Sequence, residues 1–442
     1  KPQSKEELRK AIEEYCENDE QKYGNINDWN VSLITNMSKL FFCCHNLNDC
    51  NKKIHQFNQP LNNWNVSNVT DMNFMFSGCE EFNQPLNNWN VSKVTDMSYV
   101  FYECYKFNKP INNWNVSNVT HMNFMFCYCN EFNQPLNNWN VSKVENTSYM
   151  FHNCFVFNQP INNWNVSNVT NMSSMFSNCF VFNQSINNWN VSNVEDMNSM
   201  FSCCKKINQS INNWNVSNVT DMSCMFYCCK EFNQPLNNWN VSNVTDMSSM
   251  FYNCCKFNQP LNNWNLSKVG MMREMFHNCK EFNQPINNWN VSNVTNMNLM
   301  FCDCTKFNQP LNDWNVSNVK NMNSMFDNCY VFNQPINNWT VSNVTNINYM
   351  FSNCDELNKT HIEQFYMTNI EKRNKYALCE LQKEMSIIKI YYMAKDKEFI
   401  MDNINYDDKN KIKNFIKNMS NDICGLCYLQ ADCVNNICVL CS

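Results

Sequence analysis

Tryptophan recurs at Trp64, Trp89 and every 25 residues thereafter to Trp339, and Trp29 heads a first, longer turn. Each heads a near-identical stretch of the form W-N-V-S-N-V-T-D-M-S-x-M-F-x-x-C-x-x-F-N-Q-P-L-N-N. A fixed period of this length, held over about three quarters of the chain, implies stacked turns that bury their apolar faces only against their neighbours. A single core does not limit such a stack, so the 442 residues count turns rather than domains.

Within the turn of Trp64, the residues Trp64, Val66 and Val69 carry the pattern of a short strand. Met72, Met75, Phe76 and Cys79 fall at i, i+3, i+4, i+7, the spacing of one helical face. Thr70 stands where an N-cap is wanted, and Asp71 suits a first helical turn. Phe82-Asn83-Gln84-Pro85-Leu86 then returns the chain, its proline marking a non-helical connector. Leu61 to Val66 resembles the first half of the leucine-rich-repeat consensus, although Val69 sits where that consensus wants Asn or Cys. The expected fold is an α/β, leucine-rich-repeat-like solenoid with one short strand and one short helix per turn. A parallel β-helix without a real helix per turn is the alternative. With strands about 4.8 Å apart, thirteen turns extend on the order of 60 Å, a surface suited to a macromolecular ligand.

The ends differ in texture. Residues 1–24 read as an N-terminal capping helix, with Ser4 as N-cap and Leu8, Ala11, Ile12, Tyr15 and Cys16 on one face. Residues 25–356 form thirteen turns, the first enlarged by a ten-residue surface loop between Cys44 and Phe57 that includes Cys50 and His55. Residues 357–420 read as a helical C-terminal cap and residues 421–442 as a Cys-rich tail.

Composition removes several function classes. Lys plus Arg number 33 against 39 Asp plus Glu, with no basic stripe, so a nucleic-acid partner is not expected. No apolar run approaches the roughly 18 to 20 residues of a transmembrane helix. The chain starts at Lys1 rather than Met, which leaves an upstream signal peptide or lipid anchor open. With glycine only at Gly24, Gly78, Gly270 and Gly425, neither the dinucleotide-binding nor the P-loop fingerprint can be written. The Asn, Lys and Ile bias suits an AT-rich source such as mycoplasmas, some protists or giant viruses.

The repeat resembles the BspA-like surface repeats of mycoplasma lipoproteins and related bacterial surface proteins. The match is carried by Trp64-Asn65-Val66-Ser67, Asp71-Met72 and Met75-Phe76 and their equivalents down to Trp339-Thr340-Val341-Ser342 and Met350-Phe351. The F-N-Q-P element is similar to the F-N-I-P repeats of slime moulds and giant viruses. The resemblance implies surface-exposed arrays linked to adhesion and host interaction. Abundant cysteine and the Cys-rich tail depart from the mycoplasma pattern and argue against a lipoprotein anchor.

Candidate sites are few. The position before the second methionine reads Phe74, Tyr99, Phe124 and Tyr149, then Ser174, Ser199, Cys224 and Ser249, so an aromatic column spans four turns. It reads either as a recognition stripe or as packing against the first-turn loop or another chain. The cysteine column from Cys44 and Cys79 to Cys354 and the methionine column read as core. Repeated Asn, at Asn65 and in pairs such as Asn87-Asn88, are expected to form amide ladders that satisfy backbone groups. The repeated N-V-S and N-V-T sequences are formal glycosylation acceptors that repetition for structure explains. In the tail, Cys424, Cys427, Cys433, Cys438 and Cys441 are candidates for disulfides or for a zinc site, the latter with a spacer shorter than zinc ribbons use. The turn of Trp264 departs most from the consensus, with Gly270, Met271, Arg273 and Glu274. Six histidines are scattered and show no catalytic motif, so no enzyme is expected.

The leading expectation is a non-enzymatic scaffold on a cell or virion surface that binds protein or glycan. The alternatives are a self-assembling shell or fibre component and an intracellular adaptor with a zinc-binding tail. No cofactor is expected beyond that zinc.

Overall fold

The computed structural model describes residues 2–17, 20–42 and 52–370. Its helices are α1 (Lys5–Cys16), α2 (Glu20–Tyr23), α3 (Lys52–His55) and α4 (Lys359–Ile370), with a 3-10 turn at Ile26–Asp28. Most of the expected 357–420 cap and all of the 421–442 tail lie outside the described residues.

The helix expected in each turn does not form: between α3 and α4 the chain is a succession of tight turns. The turn of Trp89 shows why. The amides of Met97, Tyr99, Phe101 and Glu103 donate to the carbonyls of His121, Asn123, Met125 and Cys127 in the next turn, at 2.8–3.0 Å. Those of Val100, Tyr102 and Cys104 close i to i+3 bonds on Met97, Tyr99 and Phe101 at 3.0–3.4 Å. Tyr99 and Glu103 stand in the left-handed region, φ 59° and 60°, which swings every second amide outward to the neighbour. An α-helix spends those amides on its own carbonyls four residues back. The apolar spacing survives because successive tight turns also aim Met97, Val100, Phe101 and Cys104 inward, each at most 1 % exposed.

The expected strand is also displaced. Trp64 N–H bonds Leu61 O and Val69 N–H bonds Val66 O, so that segment is two turns rather than a strand. The extended contact lies further on, where single parallel bridges join Asn36 to Asp71, Asp71 to Asp96, and so on in unbroken register to Asn346. Thr70 does not cap a helix; its hydroxyl donates to Thr35 O in the preceding turn at 3.2 Å. Asp71 Oδ1 instead accepts Asn73 N–H at 2.9 Å, a local turn that sets up the bridge.

Neighbouring turns are joined by side chains as well. Each indole from Trp64 onward donates to an Ile or Leu carbonyl of the turn before, as Trp89 Nε1 does to Leu61 O at 2.9 Å. Each column thiol from Cys79 donates to a Phe carbonyl in the same direction, as Cys104 Sγ does to Phe76 O at 3.1 Å. Ring columns run in parallel, Phe76 on Phe101 at 5.7 Å and Trp89 on Trp114 at 6.3 Å. The column methionines Met72, Met97 and Met122 are buried among them.

Of the asparagines expected to form amide ladders, Asn65 does not reach the next turn, whereas the Asn87-Asn88 pair does. Asn65 Oδ1 serves its own turn, accepting from Ser67 N–H and Oγ–H, which gives the N-V-S repeat a structural role. The ladder between turns runs through the F-N-Q-P asparagines: Asn83 N–H donates to Asn58 Oδ1 and Asn108 N–H to Asn83 Oδ1. Asn87 and Asn88 also bond between turns, Asn88 N–H to Asn62 Oδ1 and Asn113 Nδ2–H to Asn87 O.

Both ends of the stack are covered. Ser4 Oγ accepts Glu7 N–H at 3.2 Å and starts α1, which buries Leu8, Ile12 and Tyr15. Arg9 of α1 donates to the carbonyls of Lys39 and Phe42, and Lys5 to Ser38 Oγ, satisfying groups that a preceding turn would otherwise meet. At the other end Ile362 and Phe365 of α4 are buried, and Phe365 meets Phe351 edge to face. Apolar surface left bare at a terminal turn costs about 25 cal/mol per Å², so a stack without such covers would expose a core face.

Candidate functional site

Phe74, Tyr99, Phe124 and Tyr149 come together as one column, each with φ between 55° and 59° and each only partly buried. Their rings stack at 4.1, 4.5 and 4.5 Å between centroids, within 8° of parallel. The left-handed backbone holds each side chain away from the core while the 25-residue register brings the rings over one another.

The column is the spine of a wider aromatic surface. Phe42 closes it edge-on against Phe74 at 5.7 Å, and the Lys39 ammonium lies 5.5 Å from the Phe74 ring centre. Tyr102 leans on Tyr99 and Phe124, Tyr128 on Tyr102, and His152 on Tyr128 and Tyr149. Burial raises the phenol pKa of Tyr99 and that of Tyr102, and it lowers that of His152. These groups are therefore uncharged near neutral pH. The flanking residues occupy columns three and four positions after the expected stripe. Reading the sequence at an interval of 25 places Ser77, Tyr102, Cys127 and His152 in one column and Gly78, Glu103 and Tyr128 in the next.

Three other features share this surface pattern. Phe155 stacks on Phe180 at 5.0 Å, Lys205 covers Phe180 at 4.1 Å, and Val156 and Val181 beside them are exposed. Cys203 and Cys228 occupy the same position on adjacent turns; the neighbouring Cys203 thiol, with Asn253 Nδ2–H on Cys228, lowers the pKa of Cys228 while that of Cys203 is raised. His277, Cys302 and Asp303 place one ligand atom each within 4.8 Å of the others, the one such trio among the described residues.

The column thiols are unlike Cys228. Burial raises Cys104, Cys129 and Cys154 far above the ordinary thiol value, so they stay protonated and donate to carbonyls. In the divergent turn, Gly270 keeps the common register, its N–H bonded to Thr245 O and its own carbonyl accepting Thr295 N–H. Arg273 and Glu274 pair with each other at 2.7 Å on the surface. That turn is neither a break nor a kink in the bonding pattern. Cys424, Cys427, Cys433, Cys438 and Cys441 lie outside the described residues, as do Cys44 and Cys50.

Among the described residues no helix is long and apolar enough to cross a membrane. No curated protein matches the chain. One family model matches five times in overlapping stretches, residues 9–126, 45–164, 86–189, 149–264 and 251–365, which together span the repeats. A repeat protein on sequence and on bonding pattern alike, the chain belongs to the family described as Mycoplasma protein of unknown function, DUF285.

Proposed function

We propose that the chain is a non-enzymatic solenoid, nearer to the parallel β-helix alternative than to the leucine-rich-repeat one, that binds a protein partner along the aromatic stripe. The carrying observation is the stripe itself. Ser174, Ser199, Ser249 and Ser324 occupy the same left-handed position in other turns, so the fold does not need a ring there. Four consecutive turns nevertheless present one.

The stacking geometry favours protein over glycan. Sugars bind aromatic rings by lying on their faces, and here the faces of Tyr99 and Phe124 are covered by neighbouring rings. What solvent meets is a row of ring edges with the Tyr99 and Tyr149 hydroxyls among them, an apolar strip with polar points of the kind found in protein interfaces. Column spacings support a concave face at the stripe: centroids are 4.1–4.5 Å apart along the stripe, 5.6–5.9 Å along the Phe76 column and 6.2–6.5 Å along the Trp89 column.

A surface setting, on a cell or a virion, is supported by the resemblance to BspA-like arrays. The test compares the full chain with a Phe74→Ser, Tyr99→Ser, Phe124→Ser, Tyr149→Ser variant, which substitutes the residue other turns already use. Both are assayed against a glycan array, against extracted cell-surface proteins and by sedimentation velocity. Protein binding lost in a folded variant supports the reading. Equal binding by both chains refutes the stripe, retained glycan binding moves the reading to carbohydrate, and a concentration-dependent oligomer abolished by the variant supports the shell or fibre alternative. Stoichiometric zinc with free tail thiols is the mark of the adaptor alternative.

A further inference from the structure

We propose that His277, Cys302 and Asp303 form a site for a zinc-class divalent ion, its fourth position open to solvent, joining two consecutive turns. The residues meet because the register sets position 277 beside 302, with Asp303 next along the chain. Imidazole nitrogen, thiolate and carboxylate oxygen together form a borderline donor set that suits Zn²⁺.

The distances also suit such an ion. His277 Nε2 lies 3.7 Å from Asp303 Oδ2, and Cys302 Sγ lies 3.6 Å from the same oxygen. Metal bonds of about 2.0–2.3 Å arranged tetrahedrally give edges of about 3.3–3.7 Å. The acceptor is already oriented: Asn328 Nδ2–H holds Asp303 Oδ1 at 2.8 Å and leaves Oδ2 facing the other two donors. The His277 ring is fixed by stacking on Tyr252 at 4.6 Å.

Asp327 lies one turn beyond Cys302, and its charge acts on both Cys302 and His277. A thiolate, a carboxylate and a neutral imidazole around a divalent cation give no net charge, so the ion offsets the repulsion among the acidic groups.

The experiment titrates Co²⁺ into the reduced full chain and reads the thiolate-to-cobalt charge-transfer and ligand-field bands, with zinc competition and bound zinc measured by mass spectrometry. Asp303→Asn and Cys302→Ser are each expected to lower bound metal by one equivalent and to remove the thermal stabilisation that zinc gives the wild-type chain. Substituting Cys424 and Cys427 in the tail is expected to leave that equivalent in place. Unchanged stoichiometry and unchanged zinc-dependent stabilisation in the folded Asp303→Asn protein overturn the proposal, as does uptake confined to the tail cysteines. Should Cys302→Ser fail to fold, Asp303→Asn, which keeps the side-chain shape, decides the result.

Discussion

Substitutions at Ser174 distinguish the two backbones this repeat could adopt, and they do so by sign. Ser174 stands at φ 53°, donates its N–H to Asn198 O at 2.8 Å and accepts Ser177 N–H at 3.1 Å. At a left-handed position a Cβ costs about 1–2 kcal/mol, against which glycine loses about 0.5–1 kcal/mol in chain entropy. Glycine is therefore expected to be more stable than alanine here by up to about 1 kcal/mol, and a β-branched valine to be worse than either. Were the segment a helix, alanine would exceed glycine by about 1 kcal/mol. Because a repeat array need not unfold in one step, the local amides are the right reporter. Native-state hydrogen exchange of Phe176 and Ser177 in the full chain should show protection rising roughly fivefold from Ser174→Ala to Ser174→Gly, since about 1.4 kcal/mol corresponds to a factor of ten. Protection that is higher in the alanine protein refutes the reasoning.

Other outcomes follow from the same wiring. Iodoacetamide at pH 7.5 should modify Cys228 before Cys229, Cys254 or Cys279, because the Cys203 thiol and Asn253 beside it lower its pKa while burial raises the others; peptide mapping that finds the column thiols labelled first contradicts this. His152 has its pKa lowered from 6.5 by burial, so the stability it contributes is complete above pH 6.5 and is lost as pH falls through the folded value. His152→Phe should accordingly flatten the decline in melting temperature below pH 6.5, and an unchanged acid limb would count against that assignment. Trp214→Phe removes the indole donor that the Ile186 carbonyl now has at 3.2 Å and leaves it the Trp189 N–H at 3.1 Å, which should cost about 0.5–1.5 kcal/mol beyond the lost volume in chemical denaturation. A loss no larger than that of Phe226→Leu would argue that the bond contributes little.

Much of this molecule is legible along the chain. Trp64, Val66, Val69, Met72, Met75, Phe76 and Cys79 read as the apolar positions of the turn, and all are buried. Ser4 and the apolar face of α1 read as an end cap, and α1 does supply donors to the first turn. The backbone was harder to read, because i, i+3, i+4, i+7 spacing is met equally by consecutive tight turns with left-handed residues between them. One signal was present: the second left-handed column is rich in the residue types that tolerate that conformation, Gly78, Asn153, Asn178, Asn253, Asn278, Asp303, Asn328 and Asn353. The histidines looked scattered because they were compared with neighbours in sequence. Their neighbours in space are 25 and 26 residues away, so the proximity of His277 to Cys302 and Asp303 appears only once the turns are aligned.

The claim on which the rest depends is that alternate amides of each turn bond to the next turn rather than to their own. A diffraction structure of the full chain measures this directly at Phe226. The account predicts its nitrogen about 2.9 Å from Met250 O, with Cys224 at φ near 55°. A Phe226 nitrogen bonded instead to Met222 O, with Cys224 at negative φ, would make the segment helical and contradict the account.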